Sequence, residues 1–181
     1  DKFKECKHIE PAKVILEPLS SAIFDVTEEL KRGKKLIYFA RTIARIKDIY
    51  VELCQNKDLK KCGFGAENIC ISFSDTEENI KRAKEMFFKA NEAIPQIQLD
   101  VDGIIDQMKV VREQLEQESL LPDDVKILIT TSTLKEGVDI KNSDVKDIFA
   151  ESMVPSTVKQ MAGRLRNGVG CLRMLYNSEV S

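Results

Sequence analysis

No stretch of this chain is rich in Gly, Pro or Ser, which excludes a fibrous or disordered polymer and leaves an ordinary globular composition, 43% hydrophobic and 32% charged. Charge of one sign is also lacking. Lys and Arg number 28 against 30 Asp and Glu, for a formal net charge of -2. Whole-chain charge therefore gives no reason to expect a polyanionic partner, and any such site must be local. No apolar run approaches the roughly 20 residues that a membrane-crossing helix needs, and the first residues do not build a signal peptide, so no membrane partner is expected. Close cysteine pairs of the CxxC kind are missing too. Five cysteines, with Cys54, Cys62 and Cys70 spaced every eight residues, fit reduced thiols of a cytoplasmic or nucleoid-associated protein better than disulfides or a zinc site. No metal ligand set is expected.

Two further absences bear on chemistry. The chain has no GxxxxGK[ST] loop, the nearest approach being Gly33-Lys34 just before a strand, and no strand ends in an Asp-Glu pair. Nothing in it can cradle a β-phosphate and hold Mg²⁺ unaided.

What is present alternates. Short β-rich runs at Lys13–Leu16, Lys35–Phe39, Asn68–Phe73, Lys126–Thr130, Asp147–Ala150 and Cys171–Leu175 are separated by helical patterns, which predicts a mostly parallel sheet flanked by helices in three layers. Leu19, Ala22, Ile23, Val26 and Leu30 form one apolar helical stripe that stops at Gly33, and Ile43, Ile46, Ile49, Tyr50 and Leu53 form another. Ile80, Ala83, Phe87 and Ala90, then Ile104, Ile105, Met108, Val111 and Leu115, predict two more helices before Pro122. From Asp100 to Asp124 eight carboxylates face only Lys109 and Arg112, so this stretch reads first as a solvated face, with a docking surface as the alternative. We expect one domain over 1–181: an entry strand and helix at 1–33, a helical insertion at about 75–124, and a chemistry-bearing segment at 125–181.

That last segment opens with VKILITTSTLKEGVDI at 125–140, a buried strand followed by Thr131, Ser132 and Thr133, then Gly137, Val138 and Asp139. Ligands of open parallel sheets gather at the carboxyl ends of strands. Hydroxyls and backbone N–H groups there suit phosphate oxygens, Gly137 permits close approach, and Asp139 can accept from a sugar hydroxyl or an arginine. A strand end followed by a simple helix cap is the plainer reading of the same residues. Next comes PSTVKQMAGRLRNG at 155–168, where Ser156 or Thr157 can cap a helix that turns Val158, Met161, Ala162 and Leu165 inward. Gln160, Arg164 and Arg166 are left near its end. Two guanidiniums two residues apart cannot share a helical face, so the helix is predicted to end between Gly163 and Gly168. Planar charged forks suit a terminal phosphate that gains charge during transfer.

In order, LIYFART at 36–42, TTSTLKEGVDI at 130–140 and QMAGRLRNG at 160–168 resemble motifs IV, V and VI of the C-terminal helicase domain of superfamily 2, the DEAD/DEAH-type relatives, over nearly the whole chain. The resemblance implies a RecA-like, P-loop NTPase-like fold without its Walker A loop. It implies an ATP-dependent helicase in the full-length protein, with Mg²⁺ held mainly by an N-terminal RecA-like lobe that is the domain's partner across the nucleotide. Carried onto these residues, it implies that Thr42, Thr131 and Ser132 contact a nucleic-acid backbone, with DNA ranked ahead of RNA. Gly137, Asp139 and Gly163 would then border ATP, and Gln160, Arg164 and Arg166 would approach its γ-phosphate. The family's second arginine stands three residues after the first, where Asn167 lies here. Either Arg166 serves from a shortened turn or Arg164 acts alone. A double-stranded DNA translocase and a non-catalytic interaction module are the competing readings. The abrupt start suggests an excised fragment, expected to be inactive by itself.

Overall fold

The computed structural model describes residues 13–131 and 138–177. In chain order these form β1 (Lys13–Pro18), α1 (Ala22–Lys31), β2 (Lys35–Phe39), α2 (Ile43–Gln55), α3 (Lys57–Lys61), β3 (Ile69–Ser72), α4 (Glu77–Ala93), α5 (Val101–Glu118), β4 (Ile127–Thr130), β5 (Val145–Ala150), α6 (Pro155–Ala162) and β6 (Cys171–Tyr176). All six expected strands are present. They make one sheet in the order β1-β6-β5-β2-β4-β3, and every pairing is parallel.

A parallel sheet needs cover on both faces, and the side-chain alternation supplies an apolar surface to each. On one face Leu36, Tyr38, Ile69, Ile71, Ile127, Ile129 and Phe149 pack against α1, α2 and α4. On the other Ile37, Phe39, Cys70, Leu128, Ile148, Ala150 and Leu172 meet α6. Strand β2, between β5 and β4, is buried at all five positions, as its unbroken LIYF run requires. Burial pushes the Cys70 thiol up to about 12, so it packs as a small apolar group.

Helix α5 serves both faces. Its first half adds Ile104, Ile105 and Met108 to the first core, and its second half adds Val111 and Leu115 to the other, so it wraps the β3 edge of the sheet. Arg112 pins that wrap: its guanidinium donates to Ser72 Oγ at 3.1 Å and to the Phe73 carbonyl, and lies 3.3 Å from Asp75. The carboxylates Asp100, Asp102, Asp106, Glu113, Glu116, Glu118, Asp123 and Asp124 are all exposed, the solvated face that the sequence favoured. Asp100 also caps the helix, accepting from Gly103 N at 3.0 Å.

Near the amino ends of β5 and β6 lies a buried charge cluster. Arg173 sits 4.9 Å over the Phe149 ring and 3.5 Å from Glu29, which also holds Arg32 at 2.7 Å and Lys34 at 2.9 Å. Burial alone would raise the Glu29 carboxyl, but Lys34 together with Arg173 and Arg32 brings it below the usual range. Glu17 behaves oppositely. Burial, then a shared hydrogen bond with Asp25, pushes it up to about 7 despite Arg173 at 3.4 Å.

Candidate functional site

The carboxyl ends of β2, β3, β4 and β5 form a continuous rim. Ala40 N donates to Thr130 O at 2.8 Å, Thr131 N to Ser72 O at 3.1 Å, and Glu151 N to Phe39 O at 2.9 Å, so the ladder extends past each strand end. From β2 the chain turns to α2 on one face, and from neighbouring β5 it turns to α6 on the other. Adjacent strands whose connections part in this way leave a crevice between them.

Two of the expected strand-contact residues stand on the rim. Thr42 is exposed and caps α2, its Oγ1 accepting from Arg45 N at 3.1 Å, and Thr131 is 9% exposed beside it. Ser132 and Gly137 lie outside the described residues. The cap gives Thr42 a structural duty that any contact to a strand must share. An Asp can perform that duty while opposing a phosphate, so Thr42→Asp is expected to keep the urea midpoint of the wild type. It should weaken single-strand binding at least about tenfold at low salt, whereas Thr42→Ala should lose about 1 kcal/mol of stability. Equal strand affinities of Thr42→Asp and wild type, measured by fluorescence anisotropy, would remove Thr42 from the interface.

Behind Thr42 lies a cluster that sequence reasoning missed. The Glu151 side chain, 2% exposed, accepts from Tyr38 Oη at 2.7 Å, from Arg41 N at 3.0 Å, and from Arg45 Nε and Nη2 at 3.0 and 2.8 Å. Its backbone carbonyl takes a further bond from Arg41 Nε at 3.0 Å. Burial and then the Glu151 charge push the Tyr38 phenol well above its ordinary range. For Arg45, burial favours the neutral form, but the hydrogen bond to Glu151, the Glu151 charge and Tyr38 together outweigh it and the guanidinium is held more firmly charged. One signal was available: Glu151 is a carboxylate directly at the end of an apolar strand, and Arg41 and Arg45 stand four apart at the start of a helix.

The remaining site residues form a separate ledge, over the face covered by α6. Here the chain at 138–141 runs beside 164–166: Ile140 N donates to Arg164 O at 2.7 Å, and Arg166 N to Ile140 O at 3.1 Å. Val138 and Ile140 belong to the core of that face, with Asp139 between them. Arg166 reaches it with Nε 2.9 Å from Asp139 Oδ2. Asn167, at the place of the family's second arginine, closes the turn instead, Nδ2 donating to Lys141 O at 2.5 Å.

Helix α6 ends as expected. Gly163 is its last cap, and a Cβ there would stand 3.3 Å from Lys159 O, closer than most side chains tolerate. Gly168, at φ 85°, makes the turn into β6. Its start differs from expectation, since neither Ser156 nor Thr157 caps it. Val154 takes that position, with Pro155 first in the helix. Proline lacks the N–H that a cap would satisfy and its ring presets the helical φ, so the helix begins earlier than the hydroxyls suggested. Gln160 is exposed on the final turn. Arg164 is half-buried, and its guanidinium forms no ion pair or side-chain hydrogen bond with another described residue.

Thus Asp139, Gly163, Arg164 and Arg166 come together, with Gln160 one helical turn away, while Thr42 and Thr131 stand apart on the rim. Among the described residues no helix is long and apolar enough to cross a membrane, and no three or more His, Cys, Asp or Glu side chains gather as metal ligands.

No family model matches the chain, and no curated protein matches it. Among solved structures it is similar to "Mss116p DEAD-box helicase domain 2 bound to an RNA duplex", with 18% sequence identity and a TM-score of 0.47. The match covers 92% of this chain and 54% of that one, so the chain spans about half the length of the structure it matches. At that identity and score, the chemistry of the ledge and the rim rests on their own atoms.

Proposed function

We propose that this chain is the second motor lobe of an ATP-dependent nucleic-acid helicase, whose nucleotide lies between it and a RecA-like lobe upstream. One observation carries the reading: a guanidinium without an anionic partner among the described residues, Arg164, stands beside the tethered Arg166–Asp139 pair. An arginine held without a carboxylate is free to receive an anion from another body.

ATP supplies the γ-phosphoryl group that is transferred to water, and Mg²⁺ is left to the upstream lobe. Arg164 presents planar donors to the oxygens that gain charge in that transfer. Arg166 is oriented by Asp139, which leaves its terminal nitrogens to flank the same anion, and Gln160 on the last turn of α6 is assigned to ordering the attacking water. Gly163 keeps the approach to the ledge clear, and Gly137 is assigned to the same border. Closure of the two lobes then completes the site, so chemistry is tied to motion.

Thr42, Thr131 and Ser132 are assigned to the backbone of a nucleic-acid strand crossing the rim. Hydroxyls and N–H groups there suit the phosphate and sugar of either DNA or RNA, and the expected order of DNA before RNA is not carried forward.

Purified residues 1–181 are expected to hydrolyse ATP no faster than background, and the full-length protein to do so with stimulation by a single strand. Turnover by the 181-residue chain alone, abolished by Arg164→Ala, would overturn the division of labour between lobes.

A further inference from the structure

The main chain of Glu151 closes the rim beside Phe39, while its side chain touches the routes to both the rim hydroxyls and the ledge. Three residues separate it from Pro155, where α6 begins its run to Gln160 and Arg164. Its carboxylate meanwhile gathers the start of the other element, taking bonds from Arg41 N on the turn that carries Thr42 and from Arg45 on the first turn of α2. Tyr38, the third donor, is stacked on Phe149, ring centroids 6.0 Å apart, so the floor under the carboxylate is itself fixed.

A carboxylate that is 2% exposed is costly to hold charged without partners. Here side-chain and main-chain donors all come from one segment, 38–45, while the acceptor comes from the segment that leads into α6. These two segments are the parting connections on either side of the crevice, and among the described residues this cluster is the charged joint between them. A shift of the strand-contact turn moves Arg41 and Arg45, and it must either carry Glu151 with it or strand a buried charge. A packed, fully bonded joint of this kind transmits displacement because its alternatives are unfavourable.

Resting on the motor reading above, we infer that Glu151 is a positioning residue that couples occupation of the rim to the arginine ledge through Arg45 and the head of α6. It touches neither nucleotide nor strand. Its removal should uncouple the two sites without emptying either.

The test uses the full-length protein, with poly(dT) and poly(U) as the strands. Glu151→Gln keeps the shape and one acceptor oxygen, which can serve Arg41 N while the amide donates to the Tyr38 hydroxyl, but it takes the charge from Arg45. The unstimulated ATPase rate and the KM for ATP are expected to stay within about twofold of wild type, while stimulation by the strand falls at least about tenfold. Arg45→Gln should show the same loss, and the double variant no further loss, because the two act as one unit. Tyr38→Phe, which removes one hydroxyl without changing charge, guards against misfolding and should reduce stimulation by a smaller factor. Equal loss of unstimulated and stimulated rates in Glu151→Gln and Tyr38→Phe would reduce Glu151 to a structural role and overturn the inference. So would full stimulation in Glu151→Gln. A wild-type protein that no strand stimulates would overturn the motor reading itself, and this coupling with it.

Discussion

Replacing Arg164 by alanine in the full-length protein is expected to lower ATP turnover about a thousandfold or more, with ATP affinity changed by no more than about threefold. The asymmetry follows from when the charge is needed. A guanidinium that arrives on closure stabilises the oxygens of a transferring phosphoryl group more than those of bound ATP, so its loss falls on kcat. Arg164→Lys should recover little, since an ammonium supplies a point charge in place of the planar fork. Arg166→Ala should cost less than Arg164→Ala, because one of its donors is already spent on Asp139 at 2.9 Å. Steady-state kinetics of the three variants distinguish the roles. Turnover within about tenfold of wild type in Arg164→Ala, with collapse in Arg166→Ala, would transfer the finger to Arg166.

Phe149→Ala is expected to cost about 3–5 kcal/mol of folding stability, a large part of what a domain of this size holds. Phe149 is fully buried in β5, stacked on Tyr38 and covered by the Arg173 guanidinium. Truncation leaves a cavity and also strips Arg173 of the ring beneath it, inside a cluster where Arg173 Nε and Nη1 already lack hydrogen-bond partners. Phe149→Leu keeps most of the volume and should cost under about 1.5 kcal/mol. Urea denaturation of both variants checks this, and a loss as large in Leu as in Ala would mean that the ring's electrostatics outweigh its bulk.

The sheet was legible because burial on both faces forces unbroken apolar runs, and each of the six such runs became a strand within two residues of its expected ends. Parallel pairing throughout, where a mostly parallel sheet was expected, follows from helices covering both faces. The end of α6 was legible for a steric reason, two arginines at a spacing no helical face accepts. Its start was misjudged because hydroxyl side chains advertise a cap more loudly than a proline does. Of the Glu151 joint the parts were legible, a carboxylate at a strand end and two arginines four apart, but not their meeting. Its partners lie more than a hundred positions away along the chain, at separations of 106 to 113, and no local periodicity reports on a contact of that kind. The ledge was half legible: the 125–140 and 155–168 segments named Asp139 and the arginines, but only the pairing of 138–141 with 164–166 set them side by side.

Among the described strands β1 has one neighbour, and that neighbour is β6. During synthesis β1 must wait for β6 while the other four strands of the sheet are made between them, and even when the two are paired Val14 and Leu16 remain 54% and 59% exposed. Pairing across so long a loop is slow to nucleate and gives a margin that opens before the centre does. The β1–β6 seam is therefore where this sheet is most open to chaperones while it is being made, and where it first frays afterwards.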